Sequence, residues 1–268
     1  MKLKALLAGA LFLAAFLPLG VNAAGRAPQA PENLKINLLE EPLGVPREDI
    51  RFSWAFVDTD SGEKQTGYRI VVGKTKADMT AGRYLHDTGW AAGSGSTGIR
   101  IRELSAKLAD NGLYYWSVQT KDKDGQAGAL SAPQAFSTAV GTKWANTQGI
   151  WGNSGNAFVF LRSTFQAKGS IEKVIASVTA ASPEKTHQFV YDLSVNGTLA
   201  GLGPSRINGG SLYYNTYDIT HLVKAGSNGV GAVCYAEEYR SFLCQITVFY
   251  TDGSSEVIVN SGRDRGSR

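Results

Sequence analysis

Apolar residues recur at every second position along most of this chain, the period of a half-buried β-strand. Leu34, Ile36 and Leu38 share one face, with Lys35 and Asn37 opposite. Ile50, Phe52, Trp54 and Phe56 repeat the pattern, with Arg51 and Ser53 outward. Tyr68, Ile70 and Val72 form a third run, and Tyr114, Trp116 and Val118 a fourth. Further on, the alternation returns at Val174, Ala176 and Val178, at Phe189, Tyr191, Leu193 and Val195, and at Cys244, Ile246 and Val248. Turn signals punctuate the runs: Asp124-Gly125, Asn196-Gly197, Gly226-Ser227-Asn228 and Asp252-Gly253. No stretch holds a 3.6-residue apolar stripe over three turns; the nearest, residues 101–108, is short and interrupted. The pattern predicts an all-β protein of short strands.

The runs fall into two blocks, residues 25–140 and 157–262, each of the size of one sandwich. Between them, residues 141–156 are rich in Gly, Asn and Thr and carry Trp144, Ile150 and Trp151. A purely flexible linker has no need of two indoles. Packing at the domain junction is one reading of them and stacking on a sugar is the other. Residues 263–268 form a polar tail expected to be disordered.

The first 24 residues read as a secretory signal: Lys2 and Lys4, an apolar run from Leu6 to Leu19, then Val21-Asn22-Ala23 before the cleavage point. Fourteen apolar residues fall short of the ~20 that a membrane span needs. The expectation is a secreted or periplasmic protein with no membrane association after cleavage. Removing the two lysines takes the net charge from +4 to +2. So small a charge, scattered in both signs, gives no footing for nucleic acid.

Cys234 and Cys244 both lie on the apolar face of their runs. If the chain turns near Tyr239, they meet across a hairpin. An exported chain permits a disulfide there, worth ~2–3 kcal/mol over so short a loop. A pair of buried free thiols is the equal alternative.

Catalytic chemistry is hard to place. A glycosidase needs two carboxyl groups ~5–9.5 Å apart. The adjacent pairs Glu40-Glu41 and Glu237-Glu238 point to opposite sides of an extended chain. His86, His187 and His221 stand apart, without neighbours at metal-ligand spacing, and are expected at surface or capping positions. No nucleophile elbow or phosphate loop occurs. Residues 58–63, Asp-Thr-Asp-Ser-Gly-Glu, approach a calcium loop, but the Gly comes one place early and the distal Glu is missing, so a polar turn is the reading. Trp151, Tyr213, Tyr214 and Tyr239 are the candidate carbohydrate contacts; strand packing is the competing account of the tyrosines.

Several strings together carry a family resemblance. Pro31-x-x-Leu34, Trp54, Gly67-Tyr68-Arg69-Ile70 and Tyr114-Tyr115-Trp116-Ser117 stand in the order of a fibronectin type III module. Pro42-Leu43-Gly44 before Phe52-Ser53-Trp54, and Gln65-Thr66 before Tyr68-Arg69-Ile70, resemble the opening of bacterial α-L-rhamnosidases. His86-Asp87-Thr88-Gly89 departs from that family by placing His where Trp is usual. The order from Phe189 through Asn196-Gly197 and Tyr217-Asp218-Ile219-Thr220 to Tyr250 resembles the family's N-terminal jelly-roll domain. The resemblance implies two tandem β-sandwiches, fibronectin type III-like followed by a galactose-binding-like jelly roll. It stops before the helical catalytic barrel, so it implies no catalytic residue and no cofactor. Jelly rolls of this kind often hold calcium, but no ligand set follows from the sequence. The expected partners are a downstream catalytic barrel and, for a free-standing binding module, a rhamnose-containing glycan. An autonomous hydrolase is the remote third reading.

Overall fold

The computed structural model describes residues 25–145, 149–152, 157–181, 189–205, 213–237 and 240–259. The expected signal segment, the expected tail, His187 and Tyr239 lie outside the described residues. What is described is almost entirely antiparallel β-structure.

The first sandwich pairs β1 (Glu32–Ile36) with β2 (Phe52–Ala55) in one sheet. The facing sheet centres on β3 (Gly67–Gly73). A short helix, α1 (Lys76–Thr80), follows, then β4 (His86–Asp87), β5 (Ala91–Ala92), β6 (Leu113–Lys121) and β7 (Gln134–Ser137). The order is β4-β3-β6-β7, with β5 also on β3. Ile36, Phe52, Ile70, Val72, Trp116, Val118 and Phe136 fill the space between the sheets, as their alternation requires. The indole N–H of the buried Trp54 donates to Gln65 Oε1 at 2.8 Å, and the Gln65 amide donates to the carbonyls of Gly93 and Gly95. The core's one indole donor on β2 is therefore satisfied.

The second sandwich contains β8 (Phe158–Ala167), β9 (Ile171–Ala181), β10 (Phe189–Val195), β11 (Thr198–Gly203), β12 (Asn215–Asp218), β13 (Gly226–Ala236), β14 (Ser241–Tyr250) and β15 (Ser255–Val259). Its sheets run β11-β10-β13-β8 and β12-β9-β14-β15. All connections but the two hairpins β10–β11 and β14–β15 cross from one sheet to the other, the pattern of a jelly roll. Asn196 (φ 51°) and Gly197 (φ 83°) both take positive φ, as a two-residue hairpin turn of the primed kind demands. The Asn196 amide also anchors the turn: it donates to the Leu222 carbonyl and accepts from the Gly229 N–H.

The two sandwiches share a buried seam. Val71, Leu113, Tyr115 and Ala135 lie on the face of their sheet that turns away from the first core. They meet Ile175 and Phe249, which turn away from the second core. This is why β6 and β14 are buried on both faces over most of their length. Trp144 packs edge-on against Tyr214 at 5.4 Å, and Trp151 against Phe189 at 5.5 Å. Ile150 exchanges two backbone hydrogen bonds with Phe242. Trp144, Ile150 and Trp151 are thus laid against the second sandwich, while Thr142 is bound to Asp110 of the first.

The cysteines correct one expectation. They do not meet across a hairpin, because β13 and β14 belong to opposite sheets. Cys234 is paired in register with Tyr191 and Val159, and Cys244 with Val178. Both are buried free thiols in the sandwich interior. Burial pushes each thiol up to about 12. Thiolate is the reactive form, so a rise of that size slows alkylation about a thousandfold. Native protein is expected to resist iodoacetamide, and two thiols are expected to react once it is unfolded in denaturant without reductant. Mass spectrometry showing neither alkylated after unfolding would establish a disulfide instead.

Candidate functional site

A groove of about 520 Å³ opens beside the seam. Its walls include Lys76, Asp110, Asn111, Tyr115, Glu172 and Ser254. Helix α1 brings Lys76 there; Thr75 caps it by accepting from the Asp78 N–H. Glu172 projects from the start of β9, and its Oε1 accepts from the Tyr115 hydroxyl at 2.6 Å. The Lys76 ammonium lies 2.8 Å from the same oxygen. Asn111 donates to Thr247 Oγ1 at 3.0 Å across the seam, and the Val140 N–H donates to the Tyr214 hydroxyl. Gly253, at φ 85°, faces Thr75 so closely that a Cβ there would stand 2.9 Å from its methyl group.

The groove's two carboxylates are both tied down in the ionised form. Burial raises the Glu172 carboxyl, but hydrogen bonds from Lys76 and Tyr115 and the charges of Lys76 and Lys173 outweigh it and hold the group below its ordinary range. The Thr142 N–H, followed by the Thr142 hydroxyl and the Arg47 charge, keeps Asp110 low against a smaller effect of burial. Arg47 Nε is 3.1 Å from Asp110 Oδ1. A glycosidase acid must be held protonated, with its pKa raised. Neither group here meets that demand. The chemistry of this groove is that of a clamp.

The sequence-derived carbohydrate contacts are dispersed among other tasks. Trp151 packs against Phe189, and Tyr214 against Trp144. Tyr213 keeps 47 % of its surface exposed, while its carbonyl accepts from the Thr179 hydroxyl. Tyr239 lies outside the described residues. The expectation of surface histidines does not hold for His86, which is buried on β4. Its Nδ1 lies 2.9 Å from Lys107 Nζ, so the ring accepts there and carries its proton on Nε2, 3.5 Å from Glu103 Oε1. His221 is exposed in the short 3₁₀ turn Thr220–Leu222.

What the sequence did not reveal is the outer face of the β11-β10-β13-β8 sheet. Phe160 (80 % exposed) lies in register with Val233, and Phe158 with Tyr235; the rings of the second pair stand 4.6 Å apart. Val190 and Leu202 extend the apolar area across β10 and β11. Successive apolar residues at 158–161 are the signal: a strand apolar on both faces has something to cover on each.

Residues 31–142 match the family described as the Rha78A-like, N-terminal immunoglobulin domain. An α-L-rhamnosidase of Formosa agariphila is 23 % identical over 256 residues, covering 82 % of this chain and 26 % of the relative. A second from the same organism is 25 % identical over 234 residues, covering 75 % of this chain and 24 % of the relative. The chain resembles an N-terminal region of α-L-rhamnosidases. It spans about a quarter of the length of these relatives. The α-L-rhamnosidase of Dictyoglumus thermophilum shares its fold with a TM-score of 0.69 at 20 % identity, over 89 % of this chain and 29 % of that one. That of Aspergillus terreus does so with a TM-score of 0.54 at 20 % identity, over 85 % and 28 %.

Two outcomes follow from this geometry. Tyr115→Phe removes a hydrogen bond to a carboxylate inside the seam and is expected to cost about 1–3 kcal/mol in urea unfolding; an unchanged midpoint would show that the seam does not rest on it. The second concerns pH. Burial, then the Lys107 charge, lowers His86 from its ordinary range. The unfolded chain therefore protonates first, and stability falls as pH drops through ~6.5 toward the lower folded value, then levels off. His86→Gln is expected to flatten that slope between pH 7 and 5, and a slope unchanged in the variant would refute the assignment.

Proposed function

We propose that this chain is a non-catalytic β-sandwich portion of an exported α-L-rhamnosidase-like glycoside hydrolase. The observation that carries the reading is the groove: its two carboxylates are locked as anions by Lys76, Tyr115, Thr142 and Arg47, so no proton donor for glycosidic cleavage stands there. The match to a quarter of each relative supports it from the side of sequence. The role is structural: two sandwiches clamped into one unit that carries and orients a catalytic barrel. The exposed apolar face of Phe158, Phe160, Val190, Val233 and Leu202 is the surface that such a barrel would cover. The relatives extend about four times as far as this chain, and the part of them beyond it is where such a barrel would lie. Export rests on the leader-like pattern of residues 1–24.

The purified chain is expected to release no product from an aryl α-L-rhamnoside above the buffer rate. Turnover that persists through purification and disappears in Glu172→Gln would overturn the reading and make the groove an active site. Retardation on a rhamnose-containing glycan in affinity electrophoresis, lost in Tyr213→Ala, would favour a free-standing binding module.

A further inference from the structure

At the end of the first sandwich remote from residues 99–113, two loops meet. One joins β2 to β3 and the other joins β6 to β7. The Thr66 N–H donates to the Lys121 carbonyl, and the Thr66 hydroxyl to that of Asp122, which ties the loops together. The junction brings Asp58, Glu63 and Asp122 to one point, with a carboxylate oxygen from each within 4.8 Å of the others. Asp122 is 1 % exposed and the Glu63 side chain 4 % exposed.

Each carboxylate is oriented by one of its oxygens. Asp58 Oδ1 accepts from the Asp60 N–H, and Asp122 Oδ1 from the N–H groups of Asp124 and Gln126. Glu63 Oε1 pairs with the half-exposed Lys123. Asp58 Oδ2 and Glu63 Oε2 are buried and have no hydrogen-bond partner among the described residues. Two buried carboxylate oxygens without a partner carry a desolvation cost that a cation shared between them would offset. Among the described residues, Lys123 is the one cation paired with this cluster, so three carboxylates share a single ammonium there.

We infer that Asp58, Glu63 and Asp122 form a binding site for a divalent cation, with calcium as the ion that fits. The donors are all oxygens, the set that hard cations take. Calcium–oxygen bonds of about 2.3–2.6 Å allow ligands up to ~5 Å apart, whereas the ~2.1 Å bonds of magnesium allow only ~4.2 Å. Oxygens that lie within 4.8 Å of one another can converge on calcium without moving backbone that is already fixed by hydrogen bonds. Three carboxylates completed by water give affinities on the order of 0.1–1 mM, the range of extracellular modules. The ion would tie the β2–β3 and β6–β7 loops as a staple. The near-calcium string at residues 58–63 supplies two ligands, and the third comes from a loop some sixty residues away.

The test is thermal unfolding of the purified chain after chelation, with calcium or magnesium added back. Ten millimolar calcium is expected to raise the Tm by about 5 °C, magnesium by much less, and Glu63→Gln to abolish the calcium effect. Terbium luminescence displaced by calcium should disappear in the same variant. Lys123→Met separates a cation site from a plain ion-pair cluster: a competing ammonium removed tightens calcium several-fold, while a cluster built for the lysine only loses stability. No calcium shift in the wild type, or an equal shift in Glu63→Gln, would overturn the assignment. Asp192→Asn, on the exposed face of β10, should keep the full response; a loss there would equally refute it.

Discussion

The structure depends on one buried seam in which the outward face of one sandwich becomes the inward face of a larger unit. Tyr115 is the clearest case. Its neighbours Tyr114 and Trp116 enter the first core, while Tyr115 itself turns outward and is still buried, because Ile175 and Phe249 arrive from the second sandwich. A tyrosine can be placed so only if its hydroxyl finds a partner, and Glu172 supplies it. Glu172 in turn is tolerable in that position because Lys76 and Tyr115 both bind it. Apolar contact and charge pairing thus hold the same joint, and each would be costly without the other.

The same arithmetic explains why the groove beside the seam is unsuited to acid–base chemistry. A carboxyl becomes a proton donor near neutral pH when burial is left unopposed. At Glu172 burial is opposed by an ammonium and a phenol, and at Asp110 by an amide, a hydroxyl and a guanidinium. The acidic cluster at Asp58, Glu63 and Asp122 differs in kind. There, oxygens are left over, and the surplus points to a cation. Two groups of carboxylates in one chain are thereby separated by their partners rather than by their residue type.

Much of the fold was legible in the chain. Alternation marked β2, β3, β6, β9, β10 and β14, because whether a side chain points to one face or the other is a local property of extended backbone. The Asn196-Gly197 and Asp252-Gly253 turns were legible for a similar reason: positive φ selects few residues. The resemblance to rhamnosidase N-terminal sequences rested on these local strings. What the chain could not show was the company kept by each face. Cys234 and Cys244 share apolar phase, yet they sit in opposite sheets because the chain between them crosses the sandwich.

The sequence by itself determined the all-β character, the two blocks and most inward residues of both cores, since period-two burial and turn chemistry act within a few residues. Leu38 is an exception, exposed past the end of β1. Tertiary structure alone decided that Tyr115 meets Glu172, that His86 is buried against Lys107, that Asp122 joins Asp58 and Glu63, and that Phe158 and Phe160 line an uncovered sheet. Those facts depend on which sheets and loops come to face one another. That is settled by packing between segments far apart in the chain, where no local pattern reaches.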